Sequence, residues 1–387
     1  MQGNNFLKYP ILMSKATGQW QFEHTSALVS IYNKFSDFLL IIFIFCTHYI
    51  VLALPFYYKC EKALIEIIFY YVHFIIAIVL TVLLKSKSIR SFLRWIIRYE
   101  KSTRFEHQQE IEIYQYYCKM NNNITVFFVI VINIVSWMWY ALNKRVSPSE
   151  ELGPHCPDIR GYVFKIWYPF EIEDFPWICA TFDFVTVFCG MMLFCYYKIM
   201  PMSLIIFLMC QLNLLKFRIR SFDETKDRNG LARSERLAGI FRMHQLCIRL
   251  MNWIQYSLKE IILIQYCSYV LDTAAFMIQL LTEETMRGKM PCFAGFMMTV
   301  IQMYIFFWFA NEIQEESKTL SDVIYNEINW IDACKSEKKM LMLMMMRSQQ
   351  MLTLKVAAIG DLSLNSFTKI MRLCYSVVTF FTTVYDK

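Results

Sequence analysis

The chain has 387 residues, of which 57% are hydrophobic, 17% aromatic and only 18% charged, with a net charge of +7. A soluble domain carries about 45–50% apolar and about 25% charged residues. Here the apolar excess is gathered into blocks of roughly twenty, the number needed to cross a hydrocarbon core about 30 Å thick, which excludes an ordinary soluble enzyme, a secreted disulfide scaffold and a disordered chain.

The pattern predicts an all-α membrane protein with seven spans, at 38–58, 63–84, 124–142, 176–197, 261–281, 291–310 and 363–384. Residues 1–37 contain no apolar core of the signal-peptide kind, so the first span is expected to serve as its own insertion signal. The fourth apolar block does not end with the bilayer but continues to Leu215, with Pro201 inside it as a kink or restart. Such a run reads as a helix that leaves the membrane and stays apolar because it packs against protein. The stretch 335–356, rich in Met, reads as a helix–helix contact beneath the membrane, with a membrane-surface helix as the competing arrangement. The seventh span is the weakest by hydropathy, because it contains Lys369 and Arg372.

The intervening loops alternate between two sides, and Lys plus Arg divide 25 against 9 between them. The basic-rich side is expected to be cytoplasmic. This puts the amino terminus inside and the carboxyl terminus outside, an inverted topology relative to a G-protein-coupled receptor. The sequon Asn123-Ile124-Thr125 then falls at the cytoplasmic entry of the third span, where no glycan is expected. Cys60, Cys156 and Cys292 lie outside or near the outer edge and allow one disulfide at most.

No C-x-x-C or H-x-x-x-H pair, glycine-rich phosphate loop or G-x-S-x-G elbow occurs. The sequence therefore predicts no cofactor, no metal, no nucleic-acid partner and no enzymatic activity.

The polar residues of the seventh span fall on one stripe: Asn365, Lys369, Arg372, Ser376, Thr379 and Thr383, at spacings of 4, 3, 4, 3 and 4. Charges near the bilayer centre cost from about 2.5 kcal/mol upward, so this face must meet water or polar protein. Two arrangements satisfy that requirement. Several copies around an axis would make the stripe a pore wall, with Lys369, Arg372, Ser376, Thr379 and Thr383 lining it. Alternatively the helix is buried in its own bundle, with its polar groups paired to neighbours such as Asp183, Asp272 or Glu66.

A second set of residues lies at matching depth in the outer halves of other spans. Tyr70, His73 and Phe74 come from the second, Ser136, Trp137 and Tyr140 from the third, Phe184 and Phe188 from the fourth, and Met298 and Gln302 from the sixth. Glu66, Asn133 and Asp183 share these faces. An aromatic cavity with a few polar groups suits a small volatile or lipophilic ligand. The same spacing also describes plain core packing, and His73 also fits a satisfied interior histidine.

The segment 311–381 resembles the carboxyl-terminal signature of insect odorant receptors. It opens with Asn311-Glu312-Ile313, then Ser317, Leu320, Tyr325 and Trp330 at the family's offsets. Arg347-Ser348-Gln349, Ala358-Ile359-Gly360, Leu362-Ser363-Leu364 and Phe367 follow, and the final stretch carries Arg372 and Tyr375-Ser376. Trp167-Tyr168-Pro169-Phe170 also fits. Cys374 stands in place of the first Ser of the Ser-Tyr-Ser pattern, and Met351 where Pro is common. In the related gustatory receptors, the alternative assignment, Thr and Gln occupy the positions of Cys374 and Phe381.

The resemblance implies an odorant receptor subunit of a ligand-gated, non-selective cation channel. Such channels assemble with a shared coreceptor as a heterotetramer around a central pore, in the plasma membrane of a sensory neuron dendrite. It also implies a division into a cytoplasmic segment 1–37, spans with the odorant pocket over 38–310, an anchor over 311–362 and the pore helix with a short outer end over 363–387. A metabotropic receptor would need the opposite orientation. A transporter would be expected to show inverted repeats or broken helices.

Overall fold

In a computed structural model the described residues are 6–16, 61–103, 107–143, 174–223, 233–282, 286–356 and 360–385, with isolated positions at 31, 32, 34, 35, 38 and 105. For some helical residues, 61–70 among them, only the backbone is described. The expected first span, 38–58, lies outside this set apart from Phe38, as do Cys60, Cys156 and the 167–170 motif.

Among the described residues the helices are α1 (Lys8–Ala16), α2 (Glu61–Leu84), α3 (Lys87–Ser102), α4 (Gln108–Asn143), α5 (Pro176–Arg220), α6 (Arg233–Thr282), α7 (Met286–Lys318), α8 (Leu320–Glu327), α9 (Lys335–Ser348) and α10 (Leu364–Tyr385). A two-residue hairpin, β1 (Lys355–Val356) with β2 (Gly360–Asp361), precedes α10 and pairs Lys355 with Asp361. Gly360 has φ +91°, in the left-handed region open to glycine, which lets the chain reverse there.

Helices cover the expected spans two to seven to within a residue, but several of them are far longer than the bilayer requires. Helix α4 begins 16 residues before the expected span at 124, and α6 begins 28 residues before 261. Their polar early turns hide these extensions from a hydropathy reading. Helix α5 runs unbroken through Pro201 to Arg220. Proline lacks the N–H that would bond the carbonyl four residues earlier, that of Tyr197. The side chain of Gln265 on α6 donates to that carbonyl at 2.5 Å instead, so the backbone acceptor is not left unmet.

Among the described residues four helices are long and apolar enough to cross a membrane, or five if the bent pair α2–α3 is one span. In the apolar stretch of α5, 94% of residues are buried inside the protein, against 28% for α4. Helix α5 is thus the hub of the protein interior, from Leu193 through Ile219. Its lower half is apolar because protein covers it, as the overlong run predicts. Helices α4, α6 and α7 pack around it. Gly295 of α7 sits so close to Phe276 of α6 that an added Cβ would meet its ring at 2.6 Å.

The lower ends of these helices join α8, α9 and the hairpin. On α9, Leu341, Met344 and Ser348 face inward, while Met342, Leu343 and Met346 are exposed. The Met-rich stretch therefore makes the helix–helix contact, against α8 and α6. Helix α1 is docked by Phe6 and Leu7, both wholly buried. The Phe6 backbone donates to Glu100 Oε1 at 2.8 Å and accepts from Asn121 Nδ2 at 2.9 Å.

Candidate functional site

Helix α10 lies at the edge of the protomer, packed on α6 and α7 through Ser366, Ile370, Cys374 and Val378. Their spacing of 4, 4 and 4 defines the inner face. Cys374 Sγ contacts the Val270 carbonyl at 3.7 Å, and Phe367 meets Tyr304 and Phe307 at ring distances of 5.7 and 6.5 Å. The polar stripe points the other way. Asn365, Lys369, Arg372, Ser376 and Thr383 are exposed, and Thr379 is half-buried. This face is turned away from the chain's own core, so the stripe is not paired within its own bundle.

The hydroxyls on the stripe have a common orientation. Ser376 donates to the Arg372 carbonyl at 3.0 Å, Thr379 to Tyr375 at 3.0 Å and Thr383 to Thr379 at 2.8 Å. With each proton committed to its own helix, the oxygen offers only lone pairs outward. A row of such oxygens can accept from water or face a hydrated cation. Lys369 and Arg372 sit in the first turns, toward the cytoplasmic end by the Lys/Arg assignment.

The candidate ligand residues divide into groups. Trp137 of α4 and Phe184 of α5 meet at 5.2 Å, and Phe184 stacks with Phe188 at 6.3 Å and 5°. All three remain partly exposed. Met298 and Gln302 of α7 are buried, and among the described residues Gln302 Nε2 has no hydrogen-bond partner. The side chains of Tyr70, Phe74, Ser136 and Tyr140 lie outside the described residues, as do those of Glu66 and Asp183. Asn133 turns its amide back to the Val129 carbonyl at 2.6 Å.

His73 belongs to a different constellation. Its Nε2 hydrogen-bonds Asp272 Oδ1 of α6. Asp272 Oδ2 in turn accepts from Lys198 Nζ of α5 at 2.9 Å and from Ser268 Oγ at 3.2 Å. Lys198 is 1% exposed and Asp272 2%. The ammonium also lies 4.1 and 4.5 Å from the ring centroids of Phe194 and Tyr269. A carboxylate accepts four hydrogen bonds and an ammonium is steadied by ring faces, so this set satisfies two charges that would otherwise be costly at membrane depth. Asp272 is thereby committed to α2 and α5 and not to the polar residues of α10.

Sequence reasoning did not assemble this cluster. Gln265, Ser268 and Asp272 fall at i, i+3 and i+7 on one face of a predicted span, a signal comparable in kind to the stripe on α10. Their partner Lys198 sat at the edge of its span, where a basic residue invites no comment.

Below the membrane a cavity of about 420 Å³ lies between α4 and α5, lined by Glu112, Ile113, Tyr116, Tyr117, Asn213, Lys216, Phe217 and Arg220. It contains none of the candidate ligand residues. Lys216 is held by Glu316 and by Thr319 at 2.6 Å, and Arg218 by Glu110 at 2.7 and 3.2 Å. Among the described residues no group of three or more His, Cys, Asp or Glu could hold a metal ion. Cys292 is buried and donates to Gln279 Oε1 at 3.8 Å.

A polytopic helical bundle with one amphipathic helix at its edge and helices that extend well beyond their apolar stretches defines an all-α membrane protein. Comparison with solved structures gives the same fold. The insect olfactory receptor OR5 from Machilis hrabei superposes with a TM-score of 0.77, covering 98% of each chain at 15% identity. Its complex with eugenol gives 0.75. The model of the 7tm odorant receptor family matches residues 62–375, and the chain belongs to that family. Curated relatives include Odorant receptor Or2 of Anopheles gambiae, 26% identical over 38% of each chain. Odorant receptor 10 of Aedes albopictus is 24% identical over 60% of each, and Odorant receptor 67c of Drosophila melanogaster 22% identical over 72% of this chain and 69% of its own. The match therefore spans less than two thirds of the first two relatives' length.

Proposed function

We propose that the chain is an odorant receptor subunit of a ligand-gated, non-selective cation channel that works with a coreceptor in the plasma membrane of sensory neuron dendrites. The observation that carries this reading is the outward polar stripe on α10. A face bearing Lys369, Arg372, Ser376, Thr379 and Thr383 has no comfortable neighbour in lipid. A shared aqueous path between chains supplies one, and α10 lines it. Residues 38–310 hold the ligand pocket and 311–362 form a cytoplasmic anchor, while 363–387 carry the pore helix. The ligand is a small lipophilic molecule, and the eugenol complex of the Machilis receptor supports that class. Trp137, Phe184 and Phe188 form its aromatic wall, and the buried amide of Gln302 is a polar group available to it. The ligand favours the open state by binding it more tightly than the closed one.

Coexpression with a coreceptor and patch recording tests the assignment. Thr379→Trp and Thr383→Trp narrow the proposed path and are expected to lower unitary conductance or alter cation permeability while the half-maximal odorant concentration stays put. Conductance and permeability unchanged in both variants would overturn the pore assignment.

A further inference from the structure

Two residues separate the end of α2 from the start of α3, and the two axes differ by 58°. It is the most amphipathic helix of the described set. Ile89, Phe92, Leu93 and Ile96 form its inner side, at most 2% exposed. Phe92 packs against Trp253 of α6 at a ring distance of 4.4 Å. Because this apolar side is committed to protein, the helix cannot roll it into the bilayer, and only its opposite side is offered outward.

That outer side is basic. At 100° per residue, Lys87, Arg90, Arg94, Arg98 and Lys101 fall within about 80° of arc. Lys87, Arg98 and Lys101 are exposed and Arg90 and Arg94 half-buried, and among the described residues none of the three exposed ones is held in an ion pair. The one acid of the helix, Glu100, faces inward, where it accepts from Tyr114 and from the Phe6 backbone. Burial pushes its carboxyl above the usual range. The stripe thus carries five positive charges and no negative one.

Position distinguishes this stripe from an ordinary solvated face. With α2 upright, each residue of α3 descends about 0.8 Å, so Lys87 to Arg94 lie within about 8 Å of the level at which α2 ends, about one Debye length. Their long side chains extend that reach. By the Lys/Arg bias this is the cytoplasmic side, where the leaflet surface is negative.

We propose that α3 is a docking surface for anionic headgroups of the cytoplasmic leaflet, held there by Lys87, Arg90, Arg94, Arg98 and Lys101. The contact fixes the depth and tilt of the α2–α3 corner, and through Phe92 and Trp253 the position of α6. It rests on the placement of α3 and not on channel activity.

The test is a lipid titration of the full-length protein in neutral detergent, with phosphatidylserine and phosphatidylcholine binding resolved by native mass spectrometry. Phosphatidylserine is expected to bind more tightly, with the preference falling as salt rises. Each neutralisation near the membrane level (Lys87→Gln, Arg94→Gln) is expected to weaken it about fivefold, and Arg98→Gln and Lys101→Gln less. Arg94→Lys keeps the preference. So does the triple neutralisation of Lys335, Lys338 and Lys339 on α9, which removes three charges elsewhere. An unchanged preference in the variant neutralised at 87, 94, 98 and 101 overturns the proposal, as does an equal loss in the α9 variant. So does a wild-type protein that does not distinguish the two lipids, which would assign the stripe to an acidic protein. If the fourfold variant does not fold, the graded single variants decide the matter alone.

Discussion

Gln255 and Lys355 exchange two hydrogen bonds of 2.7 Å, the Gln255 amide nitrogen donating to the Lys355 carbonyl and the Lys355 N–H donating to Gln255 Oε1. The side chain of α6 thereby acts as a neighbouring strand to β1. It ties a helix that enters the membrane to the hairpin from which α10 departs. The lower end of α7 is tied in as well, since Gln314 Nε2 donates to the Leu362 carbonyl at 2.7 Å and Ser317 Oγ accepts from Leu352 N at 2.9 Å. The start of the proposed pore helix is therefore held by the cytoplasmic extensions of two membrane helices.

Gln255→Leu removes both bonds at once. Two partly solvated backbone groups lose their partners, a cost of about 1–2 kcal/mol in local stability. Hydrogen exchange at the Lys355 amide is expected to speed up accordingly while α9 keeps its protection. Unchanged exchange at Lys355 would show that the hairpin holds itself.

The Lys198–Asp272 pair makes a larger prediction. Asp272→Asn leaves the Lys198 ammonium buried without a counter-charge, a change worth about 3–5 kcal/mol. A lowered thermal midpoint of the detergent-solubilised protein is the expected readout. The paired variant Lys198→Met with Asp272→Leu removes both charges and should recover most of the loss. Should Asp272→Asn melt with the wild type, the pair contributes nothing to the bundle.

His244 supplies a pH dependence outside the membrane. It is buried on the cytoplasmic part of α6 beside Ser348, whose Oγ lies 3.4 Å from Nε2. Burial first, and then the Arg347 charge, lower its pKa from 6.5 to about 4. The unfolded chain takes up this proton near the higher value and the folded chain only near the lower. Stability from this site is complete above pH 6.5 and declines as the pH falls to about 4, by up to about 3 kcal/mol. His244→Gln should flatten the slope of thermal midpoint against pH in that window, and an unaltered slope would remove His244 from the account.

Much of the architecture is legible in the residues themselves. Spans of about twenty apolar residues must cross or be buried, the basic loops assign a side, and the 4-3-4-3-4 spacing on α10 dictates that one face needs polar surroundings. These are local constraints, each met within a single helix or loop. For the same reason the overlong apolar run of α5 already implied protein contact below the bilayer.

Long-range pairing was beyond that reach. Nothing in the strings around Lys198, His73 and Asp272 says that three helices bring them together, nor that Gln265 answers the carbonyl freed by Pro201. Cytoplasmic extensions of α4 and α6 escape hydropathy because only the packing around α5 makes polar-looking turns helical. Whether the polar stripe turned inward or outward was likewise open in the sequence, since its periodicity fixes which residues share a face but not what the face meets. Tertiary structure decided it, because Ile370, Cys374 and Val378 on the opposite face fill the space against α6 and α7, and a helix can bury only one side in a single neighbour pair.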